Sequence, residues 1–148
     1  MKTTLRRITI GILVLTHLFV ATGGFYGAAM LLTDTTGYSL GLPPEWLAQS
    51  GFPNYLIPGI LLMFVGCLLP ALSTLFILTK WKLPNFLQVF PDSHVSRSLS
   101  LITGLGLIVW IAIQQLLAPY FFLQPMISLA GWLIVVLTML PLSAKYFD

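Results

Sequence analysis

Long apolar stretches separated by short polar segments dominate the chain. A helix needs about 20 apolar residues to cross the hydrocarbon core of a bilayer, and the charges and prolines divide the chain into stretches of that length. The last uncharged run, residues 98–144, is too long for one span, and Pro119 and Pro125 divide it. The pattern predicts transmembrane helices at residues 8–32, 56–79, 98–117 and 125–144.

The composition excludes several classes of protein. Only 7% of the residues are charged and the mean hydropathy is +0.95, whereas about 25% of the residues of a soluble domain are charged. An ordinary soluble enzyme, a disordered chain and a disulfide-rich secreted scaffold are therefore excluded, and the lone Cys67 allows no disulfide within the chain. The predicted fold is all-α, one integral membrane domain over residues 1–148 with four transmembrane helices.

The basic residues predict the orientation. Relative to the four predicted spans, all 7 Lys and Arg lie at the termini or between the second and third spans, while Asp34 and Glu45 lie on the opposite side. Lys and Arg concentrate on the cytoplasmic side of a membrane protein. We therefore expect both termini in the cytoplasm and a structured outer loop at residues 33–55. Because topology explains the net charge of +3, we expect contact with the lipid bilayer and no nucleic-acid partner.

The first predicted helix carries small residues at helical spacing. Helices in lipid associate by close packing, so small residues mark their contact faces. This face is expected to meet another helix, within the chain, in a second copy or in a partner protein. Pro70, well inside the second span, is expected to kink it because proline removes a backbone hydrogen bond. The small residues of the face are Ala21, Gly23, Gly24, Gly27 and Ala28.

His17 is an ionisable side chain inside a predicted span. It lies nine residues from the start of that span, about 14 Å deep, and an ionisable group at that depth suggests a metal, haem or chlorophyll ligand, or a proton relay. The alternative is a neutral imidazole that hydrogen-bonds within the protein. The sequence favours this alternative because the other histidine, His94, lies in a loop. We therefore expect no metal site and no cofactor.

Several polar side chains lie near the predicted outer ends of the spans. They suggest an outward-facing pocket for a lipid or small polar molecule, and the alternative is that they cap helix ends. Asp34 and Glu45 form no convergent acid–base motif, so the sequence predicts no catalytic residue and no enzyme. The pocket candidates are Asn54, Gln114, Gln115, Tyr120 and Gln124.

Several segments of the chain resemble a known group of proteins. TGYSLGLP at residues 36–43, FPNYLIPG at 52–59, the pair Gln114–Gln115, and LQP at 123–125 resemble an uncharacterised family of small bacterial four-helix membrane proteins. That family is similar in outline to the DoxX-like proteins. The resemblance implies a bacterial inner membrane and a four-helix fold, and it transfers no catalytic residue.

Two functions are compatible with these observations. The first is an accessory or scaffold subunit of a membrane assembly, which pairs with another membrane protein or with a second copy of itself. The alternative is a small-molecule or lipid binder, or a transporter, that uses the outward-facing polar pocket.

Overall fold

The structure is a computed structural model that describes residues 1–80 and 94–147. Helices make up most of this part of the chain, and it contains no strand, which confirms the all-α prediction. The helices are α1 (Lys2–Thr33), α2 (Leu56–Thr79), α3 (Val95–Leu117), α4 (Leu123–Met139) and α5 (Pro141–Phe147).

Three of these helices, α1, α2 and α3, are long and apolar enough to cross a membrane. The 17 residues of α4 extend for only about 26 Å, and α4 meets the same criterion only together with α5, from which it is bent by 71°. The helix predicted to continue to residue 144 therefore ends at Met139. Leu140 adopts an extended ψ of 139°, because the ring of Pro141 disfavours the helical conformation of the residue before it.

The four long helices form a ring in which each helix packs on two neighbours. α1 packs on α2 and on α4, while α3 packs on α2 and on α4, and α5 lies against α1. Leu13, Ile77, Leu107 and Ile134, one from each of α1 to α4, form the centre of the apolar core, and each is at most 1% exposed. The four helices thus share one core.

The two ends of the protein differ in charge. The backbone amide of His94 donates to the carbonyl of Phe147 at 2.8 Å, and Lys80 Nζ lies 3.4 Å from the carbonyl of Tyr146. These contacts bring the end of α2, the start of α3 and the end of α5 together. We call this the basic end, and its charged side chains are Lys2, Arg6, Arg7, Lys80, Arg97 and Lys145.

The small-residue face of α1 lies against α2 of the same chain. Ala21, Gly24 and Ala28 are buried, and a Cβ added to Gly24 would lie 2.1 Å from the carbonyl oxygen of Gly66. The two backbones therefore touch at this point. Gly23 points away from this contact, is exposed, and has open space where a Cβ would lie.

Pro70 is accommodated by a change of helix type. The residues before it, Met63–Leu68, form a π-helical turn, and the amide of Leu69 donates to the carbonyl of Phe64, five residues back. A proline inside an α-helix lacks an amide donor and crowds the carbonyl four residues earlier. The wider turn relieves this conflict, and residues Leu56–Thr79 together meet the length criterion for a span. The kink expected at Pro70 stays a prediction.

The connection between α1 and α2 is ordered around Asp34. Its carboxylate accepts hydrogen bonds from the amide and hydroxyl of Thr36 and from the amide and hydroxyl of Ser39, the last two at 2.9 and 2.6 Å. These bonds to the charged form hold the pKa of Asp34 well below its usual value. Hydrogen bonds to an ionised carboxylate therefore hold the loop after α1 in place.

Tyr55, at the end of the connection next to α2, also stabilises it. Its hydroxyl donates to the carbonyl of Pro43 at 2.9 Å, and burial together with the charge of Glu45 raises its pKa. Gly37 adopts φ +83°, and a Cβ there would lie 2.5 Å from the Tyr55 ring, so glycine is required at this position. The predicted structured loop is present.

We expect replacement of Gly24 to weaken the contact between α1 and α2. Gly24→Ala places a methyl group against the Gly66 backbone and should lower the free energy of unfolding by about 1–3 kcal/mol. Denaturant titration in detergent micelles measures this change. Gly23→Ala is the matched control, and it should leave the stability unchanged or raise it by up to about 1 kcal/mol. Equal losses for both variants would contradict the contact.

A second prediction concerns the acid sensitivity of the loop. Asp34→Asn should speed amide exchange at Ser39, whereas Glu45→Gln should not, because only Asp34 accepts these hydrogen bonds. Since folding lowers the pKa of Asp34, its contribution is complete above the unfolded value of about 3.9 and is lost as the pH falls through the folded value. Wild-type protection, corrected for intrinsic rates, should therefore stay constant from neutral pH to about 5 and decline only in stronger acid.

Candidate functional site

Buried polar side chains lie around His17 between the helices. The His17 side chain on α1 is completely buried. Its Nδ1 lies 2.8 Å from the carbonyl oxygen of Leu13, and its Nε2 lies 3.3 Å from Oγ of Ser100 on α3. Ser100 Oγ in turn lies 2.8 Å from Oγ1 of Thr138 on α4. One chain of hydrogen bonds therefore joins α1, α3 and α4, and we call it the polar core.

The direction of these bonds follows from their acceptors. A carbonyl oxygen only accepts, so Nδ1 of His17 donates to Leu13. In the neutral imidazole the other nitrogen then accepts, from the hydroxyl of Ser100, and Ser100 accepts from Thr138. A neutral His17 therefore satisfies every bond in the chain, and each hydroxyl proton has an acceptor.

A second buried pair joins α2 to α3. Ser73 Oγ on α2 lies 2.8 Å from Oγ1 of Thr103 on α3, and Thr103 donates to the carbonyl of Leu99 at 2.9 Å. Ser73 is therefore the donor to Thr103. Both side chains are completely buried. Together with the polar core, this pair links all four long helices through α3.

The hydroxyl-bearing residues of α3 were not recognised as site candidates from the sequence. Ser96, Ser100 and Thr103 are spaced four and three residues apart, which places them on one face of a helix, and all three are at most 1% exposed. That stripe is the signal that identifies them. Its partners, Ser73 and Thr138, are distant in the sequence, so only the packing of the helices reveals them.

The arrangement around His17 is the hydrogen-bonded one that the sequence favoured. Both ring nitrogens are engaged by groups of the protein, so a metal or haem iron at Nε2 would have to displace Ser100. In the described ranges 1–80 and 94–147, no group of three or more potential metal-ligating side chains comes together. The polar core is therefore suited to fixing the positions of three helices.

The polar candidates at the opposite end of the protein have separate surroundings. Asn54 Oδ1 accepts from the amide of Leu56 at 3.0 Å, in the turn that leads into α2. Gln124 is buried. Its side-chain Oε1 accepts from the backbone amide of Phe121, and its Nε2 donates to the carbonyl of Pro119, each at 3.4 Å. These two side chains hydrogen-bond within the turns that precede α2 and α4.

The remaining candidates lie at the end of α3 and just beyond it. Gln114 is half-buried, while Gln115 and Tyr120 are exposed. Within the described parts of the chain, no hydrogen bond joins any of the five candidates to another. A shared pocket at this end stays a prediction.

Comparison with known proteins identifies no relative of this chain. Protein-family models, curated proteins and solved structures were searched, and none matched the chain. The resemblance to small bacterial membrane proteins is therefore supported by the quoted sequence segments alone.

We expect the polar core to contribute measurably to stability. Thr138→Val keeps the shape of the side chain but removes its bond to Ser100, and should lower the free energy of unfolding by about 1 kcal/mol, within the range of such bonds between membrane helices. Thr22→Val is the matched control, because Thr22 is exposed and bonds only to its own helix.

A double-mutant cycle separates this bond from changes in packing. Ser100→Ala combined with Thr138→Val should show a coupling free energy of about 0.6–1.7 kcal/mol in detergent unfolding. Strict additivity of the two single variants would contradict a bond between their hydroxyl groups.

Proposed function

We propose that the chain is a multi-pass protein of the bacterial inner membrane that serves as an accessory or scaffold subunit and has no catalytic chemistry of its own. The observation that carries this proposal is the polar core. His17, Ser100 and Thr138 are bonded to one another, and Ser73 is bonded to Thr103. In this proposal the buried polar groups hold helices in position, and they leave the outer surfaces of the helices for contacts with lipid or a partner.

In the proposed topology the chain crosses the bilayer four times with both termini in the cytoplasm. Three helices meet the criterion for a span, and α4 with α5 meets it as a bent pair. The described Lys and Arg side chains all lie at the basic end, whereas Asp34 and Glu45 belong to the loop at the other end. This asymmetry agrees with the preference of basic residues for the cytoplasmic side.

The surface around Gly23 is the proposed contact for a partner helix. The neighbouring small residue, Gly24, is already used against α2, but Gly23 is exposed with open space where a Cβ would lie. Phe19 and Tyr26, one turn away on either side, are also exposed, at 52% and 62%. A glycine between two aromatic side chains offers a shallow recess in which another helix is able to pack closely.

Native mass spectrometry of the protein, extracted in a mild detergent from its own membrane, tests this proposal. We expect a mass that includes a second protein or a second copy. Gly23→Leu should reduce that complex at least about tenfold, because a bulky side chain prevents close approach of the helices. Gly11→Leu is the matched control, since Gly11 is also exposed on α1 with open space around it.

Other results would overturn the subunit role. A lone chain that retains one discrete small molecule would instead support a binder or transporter, and Gln114 and Gln115 would then be the first residues to replace. An equal loss of the complex in both glycine variants would show that the partner does not pack over Gly23.

A further inference from the structure

A groove at the basic end lies between α1 and α5. It has a volume of about 250 Å³ and is open to the surface. Each helix contributes two adjacent residues and a third residue one helical turn later. The lining residues are Lys2, Thr3 and Arg6 of α1, and Pro141, Leu142 and Lys145 of α5.

The bend after α4 creates this groove. Because α5 turns by 71° from α4, it crosses toward the start of α1 and does not continue along the axis of α4. Arg6 Nη1 lies 3.4 Å from the carbonyl oxygen of Lys145 and joins the two helices. This bond uses one of the five N–H donors of the guanidinium group, so Arg6 is held in place with donors left for a ligand.

Three of the six lining side chains are cationic. The acids Asp34 and Glu45 belong to the loop at the other end, and Asp92 and Asp148 lie outside the described residues. Three cations beside one small groove favour an anion with several oxygens, since guanidinium and ammonium groups both donate to phosphate. Thr3 adds a hydroxyl donor, and Pro141 and Leu142 add an apolar wall.

The level of the groove matches the headgroup layer of a bilayer. α1 has 32 residues and is about 48 Å long, whereas the hydrocarbon core measures about 30 Å. Its uncharged part starts at Ile8, so Lys2 and Arg6 lie beyond the apolar stretch. The volume of about 250 Å³ is also below the 300–1,000 Å³ that is typical of pockets for drug-sized ligands, which favours a small group such as a phosphate ester.

We infer that the groove between α1 and α5 binds the phosphate group of an anionic phospholipid, held by Lys2, Arg6 and Lys145. The ligand enters sideways from the surrounding headgroup layer, and its glycerol end meets Pro141 and Leu142. The same phosphate chemistry is present in free inorganic phosphate. The lipid is the source that the membrane level of the groove and its apolar wall favour.

Native mass spectrometry of the full chain, titrated in detergent with phosphatidylglycerol or phosphatidylcholine of matched acyl chains, tests the inference. We expect phosphatidylglycerol to bind more tightly. Arg6→Gln and Lys145→Gln should each weaken its binding about fivefold, the effect of about one membrane-surface cation. Lys145→Gln leaves the backbone carbonyl that bonds to Arg6 in place, so a loss of that contact does not explain its effect.

Arg7→Gln is the matched control. Arg7 is adjacent to Arg6, carries the same charge and is exposed, but it does not line the groove. It should change the affinity for phosphatidylglycerol by less than about twofold. Lys145→Arg keeps the charge and should retain binding.

Three outcomes would overturn the inference. The first is equal affinity for the two lipids, and the second is a loss in Arg7→Gln as large as that in Arg6→Gln, which would indicate a general surface charge effect. The third is displacement of bound phosphatidylglycerol by millimolar inorganic phosphate but not by chloride at matched ionic strength. That result would assign the groove to a soluble phosphate.

Discussion

The need to pair every polar group within an apolar interior is the constraint on which this structure depends. A hydroxyl or imidazole that faces hydrocarbon without a partner costs free energy, so each buried polar side chain has to find a partner, either a backbone carbonyl of its own helix or a side chain of another. His17, Ser100 and Thr138 do so across three helices. Apolar packing alone allows helices to slide past one another, whereas these bonds form in only one register.

The glycine contact and the polar core act on different pairs of helices. Gly24 and Gly66 bring α1 and α2 together through their backbones, and the bond between Ser73 and Thr103 fixes α2 against α3. The polar core then joins α3 to both α1 and α4. Each long helix therefore takes part in at least one of these two kinds of contact.

Much of this arrangement is predictable from the sequence, because it depends on local patterns. Apolar length identifies α1, α2 and α3, small residues identify the face that contains Gly24, and the depth of His17 marks it as a side chain that needs a partner. The identity of that partner is not predictable in the same way. Ser100 and Thr138 lie 83 and 121 residues beyond His17 in the chain, so their proximity depends on which helices are neighbours.

Pro70 and Pro141 show a second limit of prediction from the sequence. Both Pro70 and Pro141 interrupt an apolar run, yet one is absorbed by a wider helical turn and the other produces a bend of 71°. Local sequence identifies the conflict with helical hydrogen bonding. The surrounding contacts decide its resolution, since Pro70 is buried among other helices while Pro141 is exposed at the basic end.

The π-helical turn before Pro70 also changes the phase of α2. Such a turn has the effect of one inserted residue, which rotates the following side chains by about 100° relative to an uninterrupted α-helix. Gly66, within this turn, meets α1, and Ser73, seven residues later, meets α3. A helical wheel drawn through the whole of α2 would misassign one of its halves. The helix therefore consists of two segments with different helical phase: the first packs mainly on α1, and the second packs on both α1 and α3.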